Sequence, residues 1–342
     1  IFEYRGQHIE VIFGYQYLGI FLNHNNKFYT AQKQLYDKAS RAMYSLLRKS
    51  KTLMLPLDIK IELFDRMIVP ILLYGCEVWC PTMSQLASNL HLCYYKTVMK
   101  MNKSTPSCMV YGETGQFPLE IQPKSRMLSF WFKLISVNYC SKFSSIMYKF
   151  LYDLYRKDQY KSTFLTAVHE TLNNIGLSGI WTNQFNLPYT EKYFKAKITR
   201  TLKDQYIQEW FSNLNSKEVF YNYRLFKSQL SFENYFKVLP ENLALTFARF
   251  RTLNHRLPIQ RGRALGIPHN ERKCPKCNSD ELGDEFHYVF NCPFFKEYRH
   301  RYLTKFYYKH PNVLKFHTLF NNANKSRLNK LIAFLKIIMS SF

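Results

Sequence analysis

The chain has 342 residues and a formal net charge of +24, from 48 Lys and Arg against 24 Asp and Glu. A hydrophobic content of 46% excludes a wholly disordered chain and leaves room for two or three cored domains. The cationic excess points to a polyanionic partner, and an aromatic content of 17%, interleaved with Lys and Arg, suits stacking on bases beside phosphate contacts, although most of these rings are expected to be core.

The longest apolar run, Met67–Cys76, contains Pro70 and is too short to span a bilayer, so no membrane partner is expected. No signal peptide is visible. Cys76, Cys80, Cys93, Cys108 and Cys140 show no spacing that implies a disulfide framework, which places the chain in a reducing compartment, nucleus or cytoplasm.

In chain order, residues 1–22 read as strands: IFEY, a turn at Arg5-Gly6, then HIEVIF and QYLGIFL, forming a short β hairpin. Phe28–Lys49 reads as an amphipathic helix with Ala31, Leu35, Ala39, Ala42, Met43 and Leu46 on one stripe. A second helix starts at Pro56-Leu57-Asp58 and is kinked or restarted at Pro70. A third covers Leu86–Met101. Residues 104–123, punctuated by Pro106, Gly112, Gly115, Pro118 and Pro123, read as a linker. Residues 124–240 are expected to be mostly helical. Leu243–Leu253 reads as a short basic helix, followed by a Gly-containing loop, and Arg327–Met339 as a closing amphipathic helix. The fold class is therefore mainly α, with a small hairpin at one end and a metal module near the other.

That module is the most specific signal. Cys274, Cys277, His287 and Cys292 form a C-x2-C-x9-H-x4-C array. A Cys3His set closes a tetrahedral structural zinc site and leaves no open position for a catalytic water. The loop between the ligand pairs is acidic, with Asp280, Glu281, Asp284 and Glu285, whereas residues 241–273 and 293–342 are basic. The metal is thus expected to pin two basic flanks together. Arg249, Arg251, Arg256, Arg261 and Arg263 crowd the first flank. They suit phosphate binding or, alternatively, an ion-pair network with the acidic loop. His255, His169 and His300 have no evident nucleophile or carboxylate partner in sequence. No adjacent Asp pair, phosphate-binding Gly-Lys loop or Gly-x-Ser-x-Gly elbow is present, so no catalytic residue is assigned.

Several stretches together resemble LINE-type (non-LTR) retrotransposon reverse transcriptases. Tyr17-Leu18-Gly19 resembles their primer-grip strand, IKIELFDRMIVPILLYGCEVW (59–79) the thumb, and STPSCMVYGETGQFPL (104–119) a following block. RFRTLNHRLPIQRGRALGIPHNERKCPKC (249–277) with GDEFHYVFNCPFF (283–295) resembles their C-terminal zinc module, while Trp210, Tyr221, Tyr223 and Lys227 match only loosely. The resemblance implies residues 1–23 as the end of a palm, 24–103 as a helical thumb and 104–123 as a linker. It further implies 124–240 as a helical aromatic and basic domain, and 241–342 as basic helix, zinc knuckle and C-terminal helix. Arg41, Arg48, Lys49, Lys96, Lys100 and Lys103 would then grip an RNA–DNA primer–template hybrid through its phosphates. The catalytic Asp pair and its Mg ions would lie in a palm upstream of Ile1, as would any endonuclease of the same polypeptide. The alternative is a stand-alone zinc-containing nucleic-acid-binding protein derived from such an element, without chemistry of its own.

Overall fold

The computed structural model describes residues 2–25, 27–136 and 141–342; Cys140 lies outside them. The chain divides into two compact units, each assembled from separated segments. One comprises residues 1–54, 60–91 and 117–206, the other residues 55–59, 92–116 and 207–342. The division is interleaved, not consecutive along the chain.

The first unit opens with two hairpins where one was expected. Strands β1 (Phe2–Tyr4) and β2 (Gln7–Ile9) pair around Arg5-Gly6, and β3 (Gly14–Tyr17) and β4 (Ile20–Asn23) pair around Leu18-Gly19. Both central residues of each turn have positive φ, the geometry whose twist matches a two-residue hairpin. Tyr17-Leu18-Gly19 is therefore a hairpin tip and not the middle of a strand, and the Tyr74 hydroxyl donates to the Leu18 carbonyl at 2.8 Å.

Helix α1 (Tyr29–Thr52) buries Ala31, Leu35, Ala39, Met43 and Leu46, the stripe its periodicity predicts. Helix α2 (Leu57–Met67) ends before Pro70, and the chain restarts as α3 (Val69–Leu72) and α4 (Cys76–Trp79). Helices α5 (Gln85–Val98), α6 (Ser107–Thr114), α7 (Ile121–Ile135), α8 (Phe143–Arg156), α9 (Thr163–Asn174), α10 (Ser178–Thr182) and α11 (Glu191–Ser216) follow. The core of the first unit is aromatic. Trp131 stacks on Trp181 with centroids 5.9 Å apart, and Phe132 on Phe194 at 4.3 Å. Buried polar ends find partners within it, as such side chains require. Trp131 Nε1 donates to the Tyr148 hydroxyl at 2.8 Å, and that hydroxyl donates to Gln184.

The second unit corrects the linker expectation. Residues 107–114 are a helix, with Met109, Val110, Tyr111, Gly112, Glu113 and Thr114 all buried. Its Pro and Gly neighbours punctuate a core element. Helices α12 (Tyr221–Phe226), α13 (Tyr235–Val238), α14 (Glu241–Arg251), α15 (Pro258–Ala264), α16 (Lys296–Tyr302), α17 (Lys305–Tyr308), α18 (Val313–Phe320) and α19 (Lys325–Ser340) complete the unit. Asn312 and Asn324 cap the last two, accepting from Lys315 N and Arg327 N. Helix α19 buries Leu328, Leu331, Ile332, Leu335 and Ile338, the face expected from sequence.

Gly115 sets how segment 231–233 lies on α6. It closes the helix at φ +64°, and a Cβ there would stand 2.3 Å from Phe232 N and 2.7 Å from Ser231 C. The close approach allows Glu233 N to donate to Glu113 O at 3.1 Å. Gly115→Ala combines left-handed strain with a backbone clash, so we expect a loss of about 1–3 kcal/mol, read from the urea midpoint of unfolding. An unchanged midpoint would mean that the two segments do not meet.

Candidate functional site

Cys274, Cys277, His287 and Cys292 come together with ligand atoms all within 4.8 Å of one another. The local fold explains how. An antiparallel bridge between Lys273 and Leu282 brings the ends of the acidic loop together, and Cys274 N donates to Glu281 O at 2.9 Å. Lys276 N points at Cys274 Sγ at 3.4 Å, which turns the Cys-x-x-Cys segment around its sulfurs. A single π turn over His287–Asn291 then carries the chain to Cys292, whose amide donates to His287 O at 2.8 Å.

The donor set fits a tetrahedral cation. Cys274 Sγ and Cys292 Sγ are 3.9 Å apart, and Cys277 Sγ and His287 Nε2 are 3.4 Å apart. A tetrahedron with metal–sulfur bonds of about 2.3 Å has edges of roughly 3.8 Å. Nε2 faces the sulfurs, while Nδ1 lies 2.5 Å from Glu281 Oε2, so the carboxylate fixes the ring's orientation from behind. Burial, reinforced by the neighbouring cysteines, raises the Cys292 thiol to about 12. At Cys277 slight burial acts upward, but hydrogen bonds from Ser279, Cys274 and His287 outweigh it and hold the thiol down to about 6. The cluster could therefore hold a metal ion, with three sulfurs and one imidazole nitrogen as its donors.

The acidic loop does not present four acids to solvent. Asp284 Oδ1 accepts from His287 N at 2.8 Å, and burial holds its carboxyl up to about 6. Glu285 is buried, accepts from Asn222 Nδ2 at 2.5 Å, and lies 3.0 Å from His255 Nε2, a close contact without hydrogen-bond alignment. His255 thus has a carboxylate partner that its sequence neighbourhood does not suggest. Arg299 is a further residue that sequence reasoning missed. It is buried and donates to the carbonyls of Val289 at 2.8 Å and Cys292 at 2.9 Å, fastening α16 to the ligand segment.

The five arginines of the basic flank separate into different environments. Arg251 is 0% exposed and is withdrawn from the candidate nucleic-acid contacts. Its guanidinium pairs with Glu113 at 3.0 Å and Glu233 at 3.2 Å, donates to the Phe320 carbonyl at 3.3 Å, and covers the Phe226 ring at 4.6 Å. Lys227 also pairs with Glu233, so two cations balance two carboxylates inside the unit. Arg249, Arg256, Arg261 and Arg263 are exposed and pair with no carboxylate among the described residues. Arg261 and Arg263 sit on α15, where the sequence suggests an irregular loop. The ion-pair network with the acidic loop is thus not what these four form.

Of the remaining candidates, Arg41, Arg48 and Lys49 are exposed on α1 in the first unit. Lys100 and Lys103 are exposed in the second, whereas Lys96 spends its ammonium on the Lys103 carbonyl at 2.6 Å. Trp210, Tyr223 and Lys227 are structural: Trp210 Nε1 donates to Cys108 O at 2.8 Å, and Tyr223 is fully buried.

Asn254 organises the rest of the basic surface. Its Oδ1 accepts from Asn102 N and Thr105 Oγ1, both at 2.8 Å, and its Nδ2 donates to Thr252. The turn carrying Lys100 and Lys103 is thereby tied to the loop carrying Arg256. A cavity of about 710 Å³ opens beside this clamp, with Arg249, Arg256 and Lys336 among its lining residues. Nothing local in the sequence signals this meeting, because Asn102 and Asn254 are 152 residues apart. Among the described residues no helix is long and apolar enough to cross a membrane. No protein-family model, curated protein or solved structure matches this chain.

Proposed function

We propose that this chain is the nucleic-acid-binding, C-terminal portion of a LINE-type retrotransposon RNA-directed DNA polymerase, and that its Cys/His cluster holds a structural zinc ion. Its partners are RNA and DNA: a primer–template hybrid, the element's own RNA, and the upstream palm of the same polypeptide, where Mg and the polymerising carboxylates belong. The resemblance of residues 59–79, 104–119, 249–277 and 283–295 to that family supports the reading. The observation that carries it is the split of charge around the cluster. Arg249, Arg256, Arg261 and Arg263 stand exposed and unpaired, while Asp284 and Glu285 turn inward. Unneutralised arginines on a folded surface attract phosphates and carry no sequence preference of their own. Zinc suits three thiolates and an imidazole, and with four protein ligands it holds the fold and performs no hydrolysis.

Binding of the zinc-loaded chain to an RNA–DNA hybrid, measured across a salt series, tests this. Arg261→Ala with Arg263→Ala is expected to weaken binding and flatten the log–log salt dependence by about one unit per lost phosphate contact. An unchanged slope removes these two side chains from the interface. No binding of the wild-type chain at low salt removes the reading itself.

A further inference from the structure

The cavity beside Asn254 is built differently from an exposed basic patch. Arg249, Arg256 and Lys336 line it, and among the described residues no Asp or Glu side chain does. The acids of the unit that lie in its core are already engaged, Glu113 and Glu233 by Arg251 and Glu285 by Asn222 and His255. The three cations therefore face the concavity with no Asp or Glu beside them in its lining. Its walls are held rigidly. Asn254 is buried and uses both ends of its amide to fix the two segments it joins. Lys100 and Leu253, one in each segment, adopt left-handed backbone with φ of +51° and +60°. Each closes the helix before it, α5 and α14, with Met101 N donating to Lys96 O and Asn254 N to Arg249 O, both at 2.8 Å, the ordinary use of that conformation at a helix end. Met339 and Phe342 add an apolar floor, and Phe342 is steadied by the Tyr288 ring with centroids 4.9 Å apart.

We propose that this cavity takes one unstacked nucleotide of a single strand, its phosphate against Arg249, Arg256 and Lys336 and its base against Met339 and Phe342. The inference rests on the nucleic-acid-binding reading and narrows it from duplex to unpaired chain. Size favours it. At about 710 Å³ the cavity lies within the roughly 300–1,000 Å³ of small-molecule sites. A paired helix offers a convex row of phosphates with its bases stacked inside, so it can touch the rim but cannot fill the hollow. A nucleotide turned out of the stack presents phosphate and base face together, which is what cations above an apolar floor accept. Lys100 and Lys103 lie exposed on the turn that Asn254 ties down, next to Asn102 in the wall, where the neighbouring phosphates would run.

The test uses the full zinc-loaded chain, a labelled single-stranded oligoadenylate and a blunt RNA–DNA hybrid of equal length, each in a salt series. The triple variant Arg249→Ala, Arg256→Ala, Lys336→Ala is expected to bind the single strand at least roughly tenfold more weakly, with a log–log slope shallower by about 0.7, the share of the one phosphate the pocket holds. Its affinity for the hybrid is expected to change by less than about threefold. Phe342→Ala is expected to weaken the single strand without altering the slope, because stacking releases no counterions. The three cations are exposed and unpaired, so the triple variant keeps the wild-type thermal transition. Equal losses on both probes would replace the pocket with diffuse electrostatics, and no loss on either would place the contacts elsewhere. Both results overturn the pocket and leave nucleic-acid binding standing. A wild-type chain that binds neither probe overturns both.

Discussion

If the Cys/His cluster holds zinc as proposed, stripping the metal is expected to unfold the ligand segment and the elements fastened to it. Cys274 and Cys292 are buried, their sulfurs are 3.9 Å apart, and burial raises the Cys292 thiol to about 12. Without the cation the Cys292 thiol takes its proton back. The turn at 274–277 and the π turn at His287–Asn291 then lose the centre that joins them. Structural zinc binds zinc-finger peptides with roughly 10–16 kcal/mol of apparent free energy near neutral pH, and that free energy is folding free energy. Only part of it is needed to hold Tyr288, Val289 and Phe290 against α16, because Arg299 clasps the same carbonyls.

Chelation should therefore lower the thermal transition, release one zinc per chain and expose three thiols to a disulfide reagent together. Deuterium exchange at 286–295 should rise to near that of an open chain. The sign with pH follows from the ligands: each must shed its proton to bind, so zinc is lost as pH falls. Glu281→Gln removes the charge behind His287 and should weaken zinc affinity about 10–100-fold while leaving all four ligands in place. A chelated protein with unchanged transition and exchange would show that the four residues hold no structural metal.

How much of this was legible in the sequence depends on how local each signal is. The Cys/His array was legible because ligand spacing is fixed within nineteen residues by turn geometry. Helix α1 was legible because Ala31, Leu35, Ala39, Met43 and Leu46 repeat at one period. The second hairpin was missed because Leu18-Gly19 is not the Asn-Gly or Asp-Gly pair that announces such a turn. The segment 107–114 was misread because its flanking Pro and Gly residues resemble a linker. A helix buried all round carries no amphipathic period to contradict them. Arg249 and Arg251 could not be separated as arginines, yet their positions differ. Ala244, Phe247, Ala248 and Arg251 continue one buried stripe, and Arg249 falls off it. That period was readable; the partner that makes a buried arginine tolerable, Glu113, was not, lying 138 residues away.

The same helix supplies a test that separates fold from function. Arg251→Ala is expected to destabilise the second unit by about 3–5 kcal/mol, because it leaves Glu113 and Glu233 buried with only Lys227 to balance them. Glu113→Ala should cost a similar amount by leaving Arg251 and Lys227 to share Glu233 alone and the Tyr235 hydroxyl without its acceptor. Burial alone would lower the pKa of Arg251, but Glu113 and then Glu233 overcome it and raise it, so the group stays charged and the pair cannot relieve itself by losing a proton. Replacing both partners together, as Arg251→Met with Glu113→Gln, should recover much of the loss, since the largest penalty is an uncompensated charge and not the absence of an ion pair. Two residues away the expected pattern is the opposite. Arg249→Ala should leave the unfolding free energy within about 0.5 kcal/mol of wild type, weaken single-strand binding and flatten its salt slope by up to about 0.7. Folded Arg251 variants should keep that slope. An Arg251→Ala protein of wild-type stability with a flattened salt slope would place this guanidinium at the surface and sink the assignment of a buried charge quartet at the centre of the unit.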